Sequence, residues 1–254
     1  IILFILFVLS VIKIYQMPNL ILVRHGQSEW NLEKRFTGWV DADLTAQGKL
    51  EACKSGEDIK ELNIKIDYFF SSFQLRAINT LKLIQDTLRD RQEAIKAWQL
   101  NERHYGALTG LNKDEVKKKI GEDKTHEFRR SWNIKPDPLS RNNPYHPLNI
   151  EAYKEVPKEK IPDTESLEDT YKRVMEYYSS NIQNKLLDNK NIVVSAHGNS
   201  IRALCKFLFK LDNKKISLLE IPTGNPLLIN LNSKLEITEC RYLNRDRARD
   251  LLVF

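Results

Sequence analysis

Two histidines occupy the same local setting far apart in the chain. Leu20-Ile21-Leu22-Val23 runs directly into Arg24-His25-Gly26, and Ile192-Val193-Val194-Ser195-Ala196 runs into His197-Gly198. A short aliphatic run bounded in this way reads as a buried strand. The carboxyl ends of parallel strands are where open α/β sheets build their sites. One histidine after a strand is commonly a hydrogen-bonded packing residue; two His-Gly pairs of one design point to a shared site. A neutral imidazole carries a lone pair near neutral pH and can act as a nucleophile or a proton carrier. The guanidinium of Arg24 next to it can take two oxygens of an anion at once.

The elements that must position these groups alternate. After the first strand comes a polar and aromatic loop over Asn31 to Asp43, then a helix from Thr45 to about Leu62. Lys65 to Phe70 predicts a second strand ending at Ser71-Ser72, and Ala77, Leu81, Ile84 and Leu88 mark one face of the helix that follows. Ala94 to Leu100 predicts a third strand, which places Glu102 at its carboxyl end. Residues 106–132 read as a charged helical region. Ser166 with Asp169 forms a capping box ahead of a helix striped by Leu167, Tyr171, Val174, Tyr178 and Ile182. Ile201, Leu204, Cys205 and Leu208 mark the buried face of a short helix, and Leu227–Leu231 and Ile237–Leu243 supply two last strands. The alternation predicts a three-layer α/β/α sandwich with a mainly parallel sheet. Between 133 and 162 the chain holds six prolines and little periodicity. A structureless stretch of that length is expected to be functional, here a lid over the site, within an insertion at about 106–163.

Length and charge narrow the classes. The 254 residues suffice for one large domain, taken as 17–254, and no linker divides it. Lys and Arg exceed Asp and Glu by 40 to 34, a modest excess that suits an anionic ligand. The charges are spread along helices rather than gathered in a stripe, which argues against nucleic acid. Cys53, Cys205 and Cys240 show no CxxC spacing and read as reduced residues of a cytoplasmic protein. Ile1 to Ile12 is apolar apart from Ser10, too short for a membrane span and without the basic start of a secretory signal. We read residues 1–16 as an upstream extension outside the fold, with Met17 as the functional start; a partial membrane anchor is the alternative. No metal is expected, because there is no P-loop or HExxH spacing and Arg24 would oppose a divalent ion at His25 and His197. His126 and His146 are expected at the surface.

Arg24-His25-Gly26 with Ser28, Trp30 and Asn31 resembles the signature of the histidine phosphatase superfamily. Arg35-Phe36-Thr37-Gly38-Trp39, Leu100-Asn101-Glu102-Arg103-His104-Tyr105-Gly106, Ala196-His197-Gly198-Asn199-Ser200 and Ile221-Pro222-Thr223-Gly224 narrow the resemblance to its cofactor-dependent phosphoglycerate mutase branch, over about residues 18–245. The resemblance implies a metal-independent phosphoryl transfer between 3-phosphoglycerate and 2-phosphoglycerate, primed by 2,3-bisphosphoglycerate. It implies His25 as the residue that becomes phosphohistidine, and Arg24, Arg76 and His197 as the phosphate clamp, with His197 protonated, or at least a donor, and its charged form favoured by the bound phosphate. The second ring nitrogen of His25 is expected on a backbone carbonyl. Glu102 is the candidate general acid and base, with burial needed to raise its pKa; an ion pair with Arg103 is the plainer alternative. Ser28, Asn31, Thr37, Gly38, Tyr105, Gly198 and Asn199 are expected around the anion, and Lys113, Arg129 and Arg130 at the substrate carboxylate and distal phosphate.

Three functions fit these residues: the mutase, a phosphatase in which water discharges phosphohistidine, and an anion-binding module that keeps the fold. The long segment after Asn101, with Arg129-Arg130, favours the mutase, as does Ser28, where related synthases tend to carry glycine. Gln27 and Leu75 depart from the glutamate and lysine usual at those positions, and the tail from Arg245 is short. A homodimer is plausible for the family.

Overall fold

A computed structural model describes residues 17–248; the expected extension at 1–16 and the apolar end at 251–254 lie outside the described residues. Six strands, β1 (Asn19–Arg24), β2 (Tyr68–Ser71), β3 (Ile95–Lys96), β4 (Ile192–Ala196), β5 (Leu227–Leu231) and β6 (Ile237–Tyr242), form one sheet in the order β3-β2-β4-β1-β5-β6. The first four in that order run parallel. β5 lies antiparallel to β1, and β6 antiparallel to β5.

The helices are α1 (Glu29–Leu32), α2 (Ala46–Lys60), α3 (Leu75–Leu88), α4 (Lys113–Ile120), α5 (Glu122–Arg130), α6 (Leu167–Tyr177), α7 (Gln183–Leu187), α8 (Gly198–Leu208) and α9 (Asn213–Leu218), with a π-helical turn at Tyr178–Ile182 joining α6 to α7. Ile21, Val23, Phe69 and Val193 pack on one sheet face against Ile59 of α2 and Leu81 and Ile84 of α3. Leu20, Leu22, Phe70 and Val194 pack on the other, against Leu167 and Val174 of α6 and Ile201 and Leu204 of α8. β1 and β4 are covered on both faces, which is why their sequences are continuous aliphatic runs and not alternating ones. The three-layer sandwich with a mainly parallel sheet is therefore the observed fold. The Ser166–Asp169 capping box also forms, with Asp169 N–H donating to Ser166 Oγ at 3.1 Å and Ser166 N–H to Asp169 Oδ2 at 3.0 Å.

Three local expectations change. The third strand is only two residues long, pairing Phe70 with Ile95 and Ser71 with Lys96. It is an edge strand with a neighbour on one side, and the chain leaves it in a 3₁₀ turn, Trp98–Leu100, that drives Leu100 into the core. Glu102 thus follows a turn and not a strand. The stretch 133–162 is not structureless either. It holds 3₁₀ turns at Pro147–Asn149, Glu151–Tyr153 and Lys158–Lys160. Its Tyr153, Val156 and Ile161 are buried around Trp39, whose carbonyl accepts from the Tyr153 hydroxyl at 2.5 Å. Finally, His146 is fully buried, not exposed. Both ring nitrogens are satisfied: Nδ1 accepts from Leu148 N–H at 3.2 Å and Nε2 donates to Asp163 Oδ1 at 3.0 Å. Among the described residues no helix is long and apolar enough to cross a membrane.

Candidate active site

The parallel register of β1 and β4 places Arg24 opposite Ala196, so the next residues, His25 and His197, leave adjacent strand ends side by side. The ladder continues for one bond, His25 N–H to Ala196 carbonyl at 3.0 Å, and the two imidazole centroids lie 5.0 Å apart. β2 pairs Ser71 with Ser195, which brings the Ser72 hydroxyl into a 2.7 Å hydrogen bond with His197 Nε2. A close backbone approach fixes the turn after His25. Side chains at Gly26 and Gly48 would meet the Gly48 and Gln27 carbonyl oxygens at 2.1 and 2.0 Å, so only glycine lets α2 sit against this turn.

His25 Nδ1–H donates to the Gly26 carbonyl at 2.7 Å, the backbone partner expected. That sets the tautomer and leaves the lone pair on Nε2. His25 opens onto a cavity of about 160 Å³ at the strand ends. The Arg24 guanidinium lines it, with Nη1 donating to the Ile221 carbonyl at 2.7 Å and the buried Nε without a partner among the described residues. Arg76, buried on the first turn of α3, donates to the Val40 and Gly38 carbonyls at 2.8 and 2.9 Å and also faces the cavity. His197 adjoins His25 but does not itself line the cavity.

Glu102 lies across from this clamp. Its Oε1 accepts from Asn199 Nδ2 at 2.8 Å, from Asn199 N–H at 3.3 Å and from Arg103 N–H at 2.7 Å. The ion pair with the Arg103 side chain does not form; that guanidinium donates to the Phe128 carbonyl and stacks over Tyr105. Oε1 is thus committed to three donors and Oε2 to none of them. Asn31, Thr37, Gly38, Tyr105, Lys113, Arg129, Arg130, Gly198 and Asn199 all line the same cavity. Lys113 begins α4, and Arg129 and Arg130 end α5, where Arg130 is paired with Glu220.

Ser28 is the exception. It is fully buried, lines no part of the cavity, and uses its hydroxyl to cap α1 by accepting from Asn31 N–H at 3.3 Å. Arg202, Glu220 and Ile221 line the cavity without having been picked out as site residues. Arg202 could have been found from helical spacing, since it stands one turn after Asn199 on α8 and donates to Asn199 Oδ1 at 2.9 Å. That bond turns the Asn199 amide so that Nδ2 faces Glu102 and the Tyr105 hydroxyl.

Six cationic side chains and two carboxylates line the cavity, and the electrostatics follow from that imbalance. Burial, then Arg76 and Arg24, hold His25 well below the ordinary histidine range, which secures its lone pair. Burial, then Arg76 and His25, do the same to His197. Lys113 is lowered chiefly by burial, with Arg129 and Arg24 adding to it. Burial, with Arg130 and Arg103 beside it, pushes Arg202 down to about 9. Every one of these shifts is relieved by an anion in the cavity.

A strand-end histidine pair under an arginine clamp, on a mainly parallel sheet, defines a phosphoryl-handling class. Residues 20–144 and 140–239 match the family model of the histidine phosphatase superfamily (branch 1), and the chain belongs to that superfamily. A 2,3-bisphosphoglycerate-dependent phosphoglycerate mutase of Pelagibacter ubique (strain HTCC1062) is 79% identical over 238 residues, 94% of this chain and 100% of the relative. A protein of the same description from Staphylococcus saprophyticus is 45% identical over 228 residues, 89% of this chain and 100% of the relative. Among solved structures, a putative alpha-ribazole-5'-P phosphatase from Escherichia coli superposes with a TM-score of 0.67 at 19% identity, over 94% of this chain and 100% of that one. A mycobacterial glucosyl-3-phosphoglycerate phosphatase gives 0.64 at 22% identity, over 89% and 96%. At such identities the structures share the fold.

Proposed function

We infer that this chain interconverts 3-phosphoglycerate and 2-phosphoglycerate, as a metal-independent, cytoplasmic isomerase that passes a phosphoryl group through His25. The observation that carries the reading is the cavity itself, where an imidazole with a fixed free lone pair faces six cations and one proton-carrying carboxylate. Its cation excess and the unpartnered Arg24 Nε fit a small polyanion such as 2,3-bisphosphoglycerate. When bound, that primer supplies the phosphoryl group that loads His25.

The residues divide the labour by position. His25 Nε2 attacks phosphorus, forming the N–P bond as the P–O bond to the leaving hydroxyl breaks, while Arg24 and Arg76 hold the non-bridging oxygens and His197 packs against the His25 ring. Glu102 Oε2 delivers a proton to the leaving oxygen and, in the return step, takes one from the hydroxyl that attacks phosphohistidine. Lys113, Arg129 and Arg130 hold the far anionic end of the molecule, which keeps it in the cavity between the two transfers. That second anchor favours isomerisation over loss of the phosphoryl group to water.

The test incubates the protein with 3-phosphoglycerate and chelator, with and without catalytic 2,3-bisphosphoglycerate, and follows 2-phosphoglycerate and free phosphate separately. Primer-stimulated 2-phosphoglycerate with little phosphate release is expected. Phosphate release without isomerisation would make the protein a phosphatase.

A further inference from the structure

Glu102 stands on a stretch that has almost no regular structure to hold it, since β3 ends at Lys96 and the next residues form one 3₁₀ turn. Its backbone is held by side chains instead. Glu102 N–H donates to Gln74 Oε1 at 2.8 Å. The other partners come from Arg173 on α6, which is 7% exposed and does not line the cavity. Arg173 Nη1 donates to the carbonyls of Gln99 and Asn101 at 2.7 and 3.0 Å, and Nη2 to the carbonyl of Glu102 at 3.0 Å. Nε and Nη2 also grip both carboxylate oxygens of Glu165, at 2.6 and 2.9 Å. Glu165 Oε2 accepts in addition from His104 N–H at 2.8 Å. Arginine has five N–H donors, and all five are used here.

We propose that Arg173, fixed by Glu165, is a positioning residue for Glu102, and that it sets the rate of proton transfer without touching the substrate. The pair reaches the backbone on both sides of the carboxylate, at residues 99, 101, 102 and 104, from a helix anchored in the core. A lysine at 173 keeps the charge but cannot present planar, forked donors to three carbonyls and a carboxylate together. The phosphate clamp lies on other elements, β1 and α3, so loosening the Glu102 stretch leaves anion binding in place. This rests on the reading of Glu102 as the proton carrier.

The experiment is a double-mutant cycle with Arg173→Lys and Glu102→Gln, read by kcat, KM and the single-turnover rate of labelling His25 from 2,3-bisphosphoglycerate. Arg173→Lys is expected to lower kcat roughly 10- to 100-fold, as a small misplacement of a reacting group does, with KM changed less than about threefold, the residual allowed for an undisturbed binding site. In the Glu102→Gln background the same substitution should cost less than about threefold, because its target is already gone. Full multiplication of the two effects, or a raised KM with unchanged kcat, would overturn the proposal. Should Arg173→Lys fail to fold by circular dichroism, Glu165→Gln keeps the side-chain volume and enters the same cycle with the same outcomes. A wild-type rate in Glu102→Gln alone would sink the proton-carrier reading itself, separately from Arg173.

Discussion

The two sides of the cavity are built by different means. On the phosphate side, His25 and His197 are the next residues after paired strands, and their spacing is a consequence of the β1–β4 register. On the proton side, Glu102 depends on partners 28, 71 and 97 residues away, namely Gln74, Arg173 and Asn199. A site half can thus be positioned by hydrogen-bonded sheet, which is stiff whatever its side chains, or by a few buried side chains, where each one counts. Substitutions should separate the two halves.

The largest effect belongs to the phosphate side. His25→Ala should carry no label after an alkaline denaturing quench, which preserves phosphohistidine, with labelled 2,3-bisphosphoglycerate, and show no mutase turnover; appreciable activity would break the proposed chemistry. Arg76→Lys comes next. It removes the forked contact and leaves the Gly38 and Val40 carbonyls short of a donor. We expect kcat/KM to fall by roughly 10- to 100-fold, or about 1.4–2.8 kcal/mol, with most of the loss in KM.

A pair of glycines tests the comparison directly. A methyl group on Gly48 would meet the Gln27 carbonyl at 2.0 Å, and one on Gly106 would meet the Asp137 carbonyl at 2.1 Å. Each alanine should cost about 1–3 kcal/mol of stability, read as a lower melting midpoint. The kinetic signatures should differ. Gly48→Ala disturbs the turn after His25 and should weaken phosphate binding, whereas Gly106→Ala disturbs the end of the Glu102–Tyr105 stretch and should lower kcat. Identical kinetic profiles would mean that the halves do not behave as separate units.

The same division explains what could be read from sequence. The strand ends, the Ser166 cap and the placing of Arg24 and His25 follow from short-range patterns, because an aliphatic run fixes a strand and a strand end fixes its neighbour; Arg76 is legible only through the family resemblance. The resemblance of Leu100–Gly106 to a known motif found Glu102, yet nothing local to it reveals Arg173, whose spacing on α6 is that of an ordinary helix residue. The burial of His146 is hidden for a related reason: it depends on Asp163, 17 residues on, and on a backbone N–H. Ser28 belongs to the motif that suggests a donor for the anion, yet its hydroxyl is used at home as a helix cap.

The smallest expected effect is on acid stability, and it also splits by side. His25 and His197 on the phosphate side are held well below the ordinary value of 6.5, burial being the main cause. On the proton side burial and His146 push His104 down to about 3, and its Nδ1 accepts from Gly106 N–H at 3.0 Å. A histidine whose folded pKa is depressed binds its proton first in the unfolded chain. Below about pH 6.5 the unfolded state therefore gains protons that the folded state refuses, and stability falls as pH falls, until the folded pKa is reached. Each such histidine should contribute a loss of up to about 1.4 kcal/mol per pH unit. Urea melts between pH 7 and 4.5 would show the slope. Saturating inorganic phosphate should flatten the share due to His25 and His197, because an anion beside them favours their charged forms. It should leave the share due to His104 unchanged, and His104→Gln should remove that share with or without phosphate. If phosphate flattened the whole slope, His104 would have to sense the cavity as closely as the strand-end histidines do, and the separation of the two halves would be lost.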